Sequence, residues 1–427
     1  MKEVRGSESL LCPDFRALEA PAISFAVTSA SGPTAEYRGL TLHSVFQPIG
    51  SFVHGKVVGY EALLRAIDRR GQAMAPQAVF AQAQTTSELA ILNRIVTELH
   101  FKSFCAQDPG NCWLFINIST LAFCPLVTHP GSLFELSAKY GIAPSRIVIE
   151  LLEHDILDRE GFGRCLSRCR DAGFMVAMDD FGKGWSNLDR ILNFVPSIVK
   201  FDQSLVFQGR SNLQIQHAYR HLTSMLHEVG IMVLAEGIES VEDASFMVDA
   251  GVDFFQGYWL AQPDPSTVAA CVSERNNELR AHYIEQAGRT DQEEGHVRVV
   301  VEAALGQAAA QFAATGDIAR VAKIFQAVPG ARRLVVLDEN GFDVGVETAP
   351  NAAHDVKREA QLAPLQPDRS ARFTHRRYFR DALRWPNQVH FASPVYSLVD
   401  GTSSNVAAKA VSHGGRLYVL CGVFLKP

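Results

Sequence analysis

Between residues 40 and 258 the chain repeats one pattern: a short apolar run, a polar residue at or near its end, then a stretch with helical spacing. The runs cover 40–49, 56–65, 113–119, 146–153, 173–178, 197–202, 231–239 and 252–258. Helical spacing covers 75–102, with Leu89, Leu92, Ile95, Val96 and Leu99 on one side, and then 131–140, 159–171, 212–229 and 240–250. Strands alternating with helices imply a parallel sheet wrapped by its crossover helices. About eight strands in roughly 225 residues fit an α/β chain of the TIM-type (β/α)8 barrel class. Such a barrel gathers the C-terminal ends of its strands on one face, where active sites sit.

The residues at those ends are Glu61, Asn117, Glu150, Asp179, Asp180, Lys200, Glu236 and Gln256. Taken singly, each has a plain structural reading. A strand-end Glu caps or solvates, Lys200 snorkels, and Asp179-Asp180 before Gly182 is a solvated turn. Together they predict one cup lined by five carboxylates, an asparagine and a lysine. Empty, such a cup repels itself. Oxygen donors select hard cations, Mg²⁺ or Mn²⁺, whereas zinc would bring His or Cys. Two ions roughly 3.5–4 Å apart can activate a water and stabilise a leaving alkoxide in phosphodiester attack. In that scheme Asp179 and Asp180 each face a different ion. Lys200 orients the water or neutralises transition-state charge, and Glu236 is the general-base candidate.

The net charge of −6 argues against a nucleic-acid polymer as partner, which would call for a basic face. A small nucleotide held through metal ions is compatible with it. The eight cysteines form no CxxC pair, and Cys165 and Cys169, four apart, have no partners for a zinc set. They read as reduced core thiols. The first residues carry no apolar signal region, and no run approaches the roughly 20 apolar residues of a membrane span. A soluble, cytoplasmic protein without membrane insertion is expected.

Residues 1–39 have weak periodicity and read as an N-terminal extension, with the barrel over 40–268. Two long helical stretches, 266–287 and 293–327, read as connecting helices, giving a linker over 269–327. A small α+β domain over 328–427 follows. It has strands at 332–341, 389–397, 405–412 and 416–425, a short helix at 378–383, and a polar loop at 346–375.

At its polar strand ends the chain resembles the EAL family. Glu61-Ala62-Leu63 is that signature itself. Phe46-Gln47-Pro48-Ile49, Asn117-Ile118-Ser119, Glu150 to Glu153, Asp179-Asp180-Phe181-Gly182, Lys200-Phe201-Asp202, Ala235-Glu236-Gly237 with Glu239, and Gln256-Gly257-Tyr258 follow the family's blocks in order. The resemblance implies a cyclic di-GMP phosphodiesterase that opens the ring to linear pGpG with Mg²⁺ or Mn²⁺, two ions per site. It implies Glu61, Asn117, Glu150, Asp179 and Asp180 as metal ligands, and Lys200 and Glu236, with Glu61, as the catalytic set. It implies Gln47, Leu63, Arg65, Asp202, Glu239 and Gln256 on the substrate side, Glu153 as anchor of the loop after the Asp pair, and a homodimer.

The chain departs from that pattern in places. Lys183 and Trp185 stand in a loop that the family usually reads DDFGTGYSSL, Leu152 stands for a usual Thr, and Ala66 for a usual Trp. The altered loop leaves a second reading open: a cyclic di-GMP receptor with little or no turnover. No GGDEF or GGEEF cyclase motif occurs. The C-terminal domain resembles PAS/Cache-like sensors, a likeness that maps Arg376, Tyr378 and Tyr396 to a site for an unidentified small ligand. The alternative is that these aromatics are core residues of a dimerising scaffold.

Overall fold

The computed structural model describes residues 25–28, 32–129, 131–151, 159–183, 191, 195–210, 212–266, 270–348, 371–397 and 402–425. They fall into two units, divided between Glu285 and Gln286. The strands of the first unit are β1 (Phe25–Thr28), β2 (Gly32–Tyr37), β3 (Leu40–Ser51), β4 (Lys56–Ile67), β5 (Ala73–Met74) and β6 (Trp113–Ile118). They continue with β7 (Ile147–Leu151), β8 (Met175–Phe181), β9 (Ile198–Phe201), β10 (Met232–Ala235) and β11 (Phe254–Phe255). The order β3-β11-β10-β9-β8-β7-β6-β4 closes through a further β3–β4 pairing into an eight-strand barrel.

The expected barrel is therefore present, with one strand reversed. β3 runs antiparallel to both neighbours, β4 and β11, while the other six pairings of the ring are parallel. The cause is the connection. Only residues 52–55 separate β3 from β4, whereas a parallel return needs a crossover of a dozen or more residues. β4 also runs past the barrel. Glu61 lies in its middle, and beyond Ala62 it pairs only with β3 and β5. β1 and β2 extend the sheet from β3, so part of the expected N-terminal extension is strand.

The helices of this unit are α1 (Pro76–Phe80), α2 (Thr86–Ala106), α3 (Thr120–Thr128), α4 (Leu133–Tyr140), α5 (Arg159–Asp171), α6 (Gln203–Gly209), α7 (Leu213–Glu228) and α8 (Val241–Asp249). Side-chain caps set several of their starts. Thr85 accepts from the Glu88 N–H, and Ser240 and Asp243 form a reciprocal capping box. The stretch expected as one helix over 75–102 is two, α1 and α2, because the Thr85 cap starts a new helix. α3 contradicts its own local propensity: Pro125 sits inside it and lacks the N–H for an intrahelical bond. Its buried Ala122, Phe123, Leu126 and Val127 hold it against the core.

Strand periodicity positions the site. Ile49, Phe115, Val148, Ala177, Ile198, Leu234 and Phe254 form one buried apolar cluster, one residue from each of seven ring strands. Two residues further along six of those strands come Asn117, Glu150, Asp179, Lys200, Glu236 and Gln256. Because side chains in a strand repeat with period two, each polar residue faces the same side as the apolar one beneath it. On the reversed strand β3 the step runs backwards, from Ile49 to Gln47. On β4 the lower position is Gly59, where a Cβ would come within 2.8 Å of the Phe115 ring; the glycine leaves that space to Phe115.

The second unit contains the end of α9 (Ala270–Thr315), which begins in the first unit, followed by α10 (Ile318–Phe325) and α11 (Arg377–Arg384). α9 is one helix of 46 residues, where two were expected. No proline interrupts residues 266–327, and the residues between the two expected helices continue the helix. The strands β12 (Ala331–Asp338), β13 (Asp343–Thr348), β14 (His390–Ser397), β15 (Thr402–His413) and β16 (Arg416–Phe424) form an antiparallel sheet of order β13-β12-β16-β15-β14. β13 falls partly within the stretch expected as loop. The alternation of β12 divides the core. Leu334 and Val336 pack with Leu305, Phe312, Val321 and Phe325 from the helices, and Val335 and Leu337 with Tyr378, Phe379 and Cys421 on the opposite face.

Ser44 Oγ and His100 Nδ1 lie 2.8 Å apart, both buried, where α2 crosses β3. Burial pushes the His100 pKa down to about 3. An unfolded His titrates near 6.5, so below that pH the unfolded chain takes a proton that the folded chain refuses. Stability is complete above about pH 6.5 and falls with acidification, by about 2 kcal/mol at pH 5. Urea unfolding at pH 7 and pH 5 should show this loss and show it reduced in His100→Gln. Equal losses in both proteins would assign the acid sensitivity elsewhere.

Candidate active site

The polar layer above the apolar lumen converges on the Lys200 ammonium. Lys200 is 1% exposed. Its Nζ lies 2.6 Å from Glu236 Oε1, 2.8 Å from Glu150 Oε1, 3.3 Å from Asp179 Oδ1 and 3.9 Å from Glu61 Oε2. The other half of the layer is an amide chain. Asn117 Nδ2 donates to Glu61 Oε1 at 2.6 Å, and Gln256 Nε2 donates to Glu61 Oε2 at 2.7 Å. The same Gln256 nitrogen lies 3.1 Å from Gln47 Oε1, and Gln47 Nε2 donates to the Ala261 carbonyl at 3.3 Å. Gln47 is directly opposite Glu61 across the β3–β4 pair, a contact that exists because β3 is reversed. Gly257 lets the chain turn immediately after Gln256, since a Cβ there would sit 2.1 Å from the Ile238 carbonyl oxygen.

The electrostatics follow from burial. Desolvation, reinforced by Glu61, holds the Glu150 carboxyl well above its ordinary range, against the pull of Lys200. Desolvation also raises Glu236, to about 7, with Lys200 opposing and Asp179 and Glu61 adding to it. Burial alone would depress Lys200; the surrounding carboxylates outweigh it and keep its ammonium charged beyond the ordinary lysine range. Glu236 retains 21% exposure of its side chain, so it is the member of the cluster that meets solvent.

Glu150 Oε2 is buried without a hydrogen bond, and the buried Glu150 Oε1 and Asp179 Oδ1 have only the Lys200 ammonium, at 2.8 and 3.3 Å. Buried carboxylates that share a single ammonium call for a further cation. The donor set of Glu61, Asn117, Glu150, Asp179 and Glu236 is hard oxygen throughout, and this chemistry fits Mg²⁺ or Mn²⁺. Among the described residues no three His, Cys, Asp or Glu already stand in a shared coordination geometry, because the Lys200 ammonium lies between the carboxylates.

Asp180 does not join this cluster. It has φ +56 at a register shift between β8 and β9, and this positive φ, tolerated by Asp, separates it from Asp179. Its Oδ1 lies 2.5 Å from Lys183 Nζ, which also lies 3.0 Å from Asp202 Oδ2. Asp202 is fixed by its role as N-cap of α6, accepting from the Ser204 N–H at 2.9 Å. Leu63 and Arg65 follow Glu61 on the same face of β4, in the part that runs past the barrel. The Arg65 side chain donates to the Leu64 carbonyl and pairs with no carboxylate among the described residues. Glu239 is largely exposed and pairs with Arg210 at 3.1 Å, away from the cup. Glu153 and Trp185 lie outside the described residues, as does the side chain of Tyr396. In the second unit the Tyr378 phenol is buried and pushed up by desolvation, and Arg376 Nε is buried without a hydrogen bond.

The EAL domain family model matches residues 36–263, and the chain belongs to that family. The probable cyclic di-GMP phosphodiesterase PdeB of Escherichia coli (strain K12) is 29% identical over 231 residues, 53% of this chain and 42% of PdeB. The uncharacterized EAL-domain containing protein YkuI of Bacillus subtilis (strain 168) is 30% identical over 223 residues, 51% of this chain and 54% of YkuI. The chain thus matches about half the length, or less, of these curated relatives. A crystal structure of YkuI with c-di-GMP and calcium shares the fold at a TM-score of 0.71 and 21% identity, over 90% of this chain and 96% of that one. Among the described residues no helix is long and apolar enough to cross a membrane.

Replacing Lys200 by Met leaves the buried carboxylates uncompensated. Breaking a buried ion pair from one side costs about 3–5 kcal/mol. Urea unfolding in the presence of a chelator at pH 8 should show a loss of that size in Lys200→Met. Unchanged stability would mean that the carboxylates are neutral without it.

Proposed function

We propose that the chain hydrolyses cyclic di-GMP to linear pGpG in a reaction dependent on Mg²⁺ or Mn²⁺. The observation that carries this reading is the convergence of Glu61, Glu150, Asp179 and Glu236 on one buried ammonium, with Glu150 Oε2 left without a hydrogen bond. PdeB and YkuI support it by the names and ligands reported above. Glu61, Asn117, Glu150 and Asp179 would hold the metal, and Asp180 would add to the set on rotation away from Lys183. Divalent ions held there would supply positive charge to the reacting phosphodiester and would acidify a water.

The remaining steps belong to side chains. Glu236, at the solvent edge with its pKa pushed up to about 7, accepts the proton of the attacking water near neutral pH. The water oxygen bonds to phosphorus and the P–O3′ bond breaks; the leaving 3′ oxygen takes a proton from solvent, and Glu236, at the solvent edge, returns to solvent the one it accepted. Lys200 donates toward the charge that grows on the phosphoryl oxygens. Arg65, without a carboxylate partner among the described residues, and Gln47 line the substrate side. Leu63, Asp202, Glu239 and Gln256 complete the substrate set implied by the family likeness. We assign the second unit a regulatory role and the chain a homodimeric state, as that likeness implies.

A second reading, a cyclic di-GMP receptor without useful turnover, draws on one observation: Asp180 is engaged by Lys183. The two readings separate in one assay. Purified chain with Mg²⁺ or Mn²⁺ should release pGpG, and Glu61→Ala should lower the rate by about 10²–10³ or more, the scale of losing one preorganised electrostatic group. Cyclic di-GMP binding with no product under either metal would leave the receptor reading.

A further inference from the structure

Two acidic groups stand outside the Lys200 cluster. Asp180 projects from the end of β8, and Asp202 follows β9 as the cap of α6. One ammonium joins them. Lys183 Nζ lies 2.5 Å from Asp180 Oδ1 and 3.0 Å from Asp202 Oδ2. Lys183 is reached by a local turn, its N–H bonding the Asp180 carbonyl at 3.1 Å, so the cation is tethered three residues from the carboxylate it covers. Its side chain is 52% exposed, so water reaches it and the contact is exchangeable rather than a core element. Asp202 is held by α6 and cannot follow a moving Asp180.

We propose that Lys183 is a tethered competitor for the second divalent ion: it occupies the Asp180–Asp202 pair and weakens cation binding there. This rests on the metal-dependent reading above. A divalent ion drawing on Asp180 must displace the ammonium from Oδ1 or bind Oδ2 with that like charge on the same carboxylate. A neutral side chain at position 183 would impose neither cost. Among the described residues the inner cluster, built on Glu61, Glu150 and Asp179, forms no ion pair with Lys183, so it keeps its own cation affinity. The chain then takes up divalent ions in two unequal steps, and full occupancy depends on cation concentration or on a ligand that draws Lys183 away.

Mn²⁺ titration of the full-length, chelator-treated chain by calorimetry, with low-temperature EPR to detect spin-coupled pairs, tests this. Wild type should bind one Mn²⁺ tightly and a second much more weakly. In Lys183→Thr the second event should strengthen by about tenfold or more, the scale of removing a unit charge ~4 Å from a divalent ion in solvent. Lys183→Arg should retain the weak second event. Lys183→Arg should unfold at the wild-type urea midpoint, and Lys183→Thr, which loses the pairing with buried Asp202, at a somewhat lower one in a single transition. Two equal events in wild type, or a second event unchanged in Lys183→Thr, overturns the assignment alone. No Mn²⁺ uptake by either chain overturns it together with the metal-dependent reading.

Discussion

A lysine buried at 1% exposure among four carboxylates is the interaction on which the rest of the barrel depends. Neither sign of charge could stand at that depth alone. Desolvating an isolated ion costs several kcal/mol even after relaxation. Placed together they satisfy one another only in part, since three donors on one nitrogen face four acids. The shortfall is visible in Glu150 Oε2, which lacks a hydrogen bond, and in Asp179 Oδ1, whose one cation lies 3.3 Å away. It makes the cup a site with a standing demand for positive charge, which is the physical basis for reading it as a cation site.

Geometry supplies this cluster through strand periodicity. The site is the layer one pleat above the apolar lumen, so shifting the register of any ring strand by one residue would exchange a ligand for an outward-facing neighbour. The reversed strand β3 adds an element a uniform parallel barrel lacks. It sets Gln47 opposite Glu61, and the Gln47–Gln256–Glu61–Asn117 amide chain fixes one edge of the cup. One half of the layer is thus held by amides and the other by an ammonium.

Much of this was legible in the sequence, because period-two strands ending in acids report both the fold class and the face. α5 matches the spacing expected at 159–171, and Glu61, Asn117, Glu150, Asp179, Lys200, Glu236 and Gln256 meet in one layer. What escaped was governed by tertiary contacts or by connection length. The reversal of β3 follows from a four-residue link. α3 forms around Pro125 because its apolar face is buried. β13 lies in a stretch too polar to read as strand. Asp179 and Asp180, adjacent at one strand end, part company through one positive φ at Asp180. The bridge from Lys183 to Asp202 spans two strand ends, and no local spacing announces it.

Phosphodiester hydrolysis in the cup is open to ³¹P NMR of cyclic di-GMP incubated with the purified chain and Mg²⁺. The single phosphodiester resonance should give way to two of equal intensity, one diester and one terminal monophosphate, and the conversion should stop on chelation. A bound substrate whose diester resonance persists unchanged would refute hydrolysis.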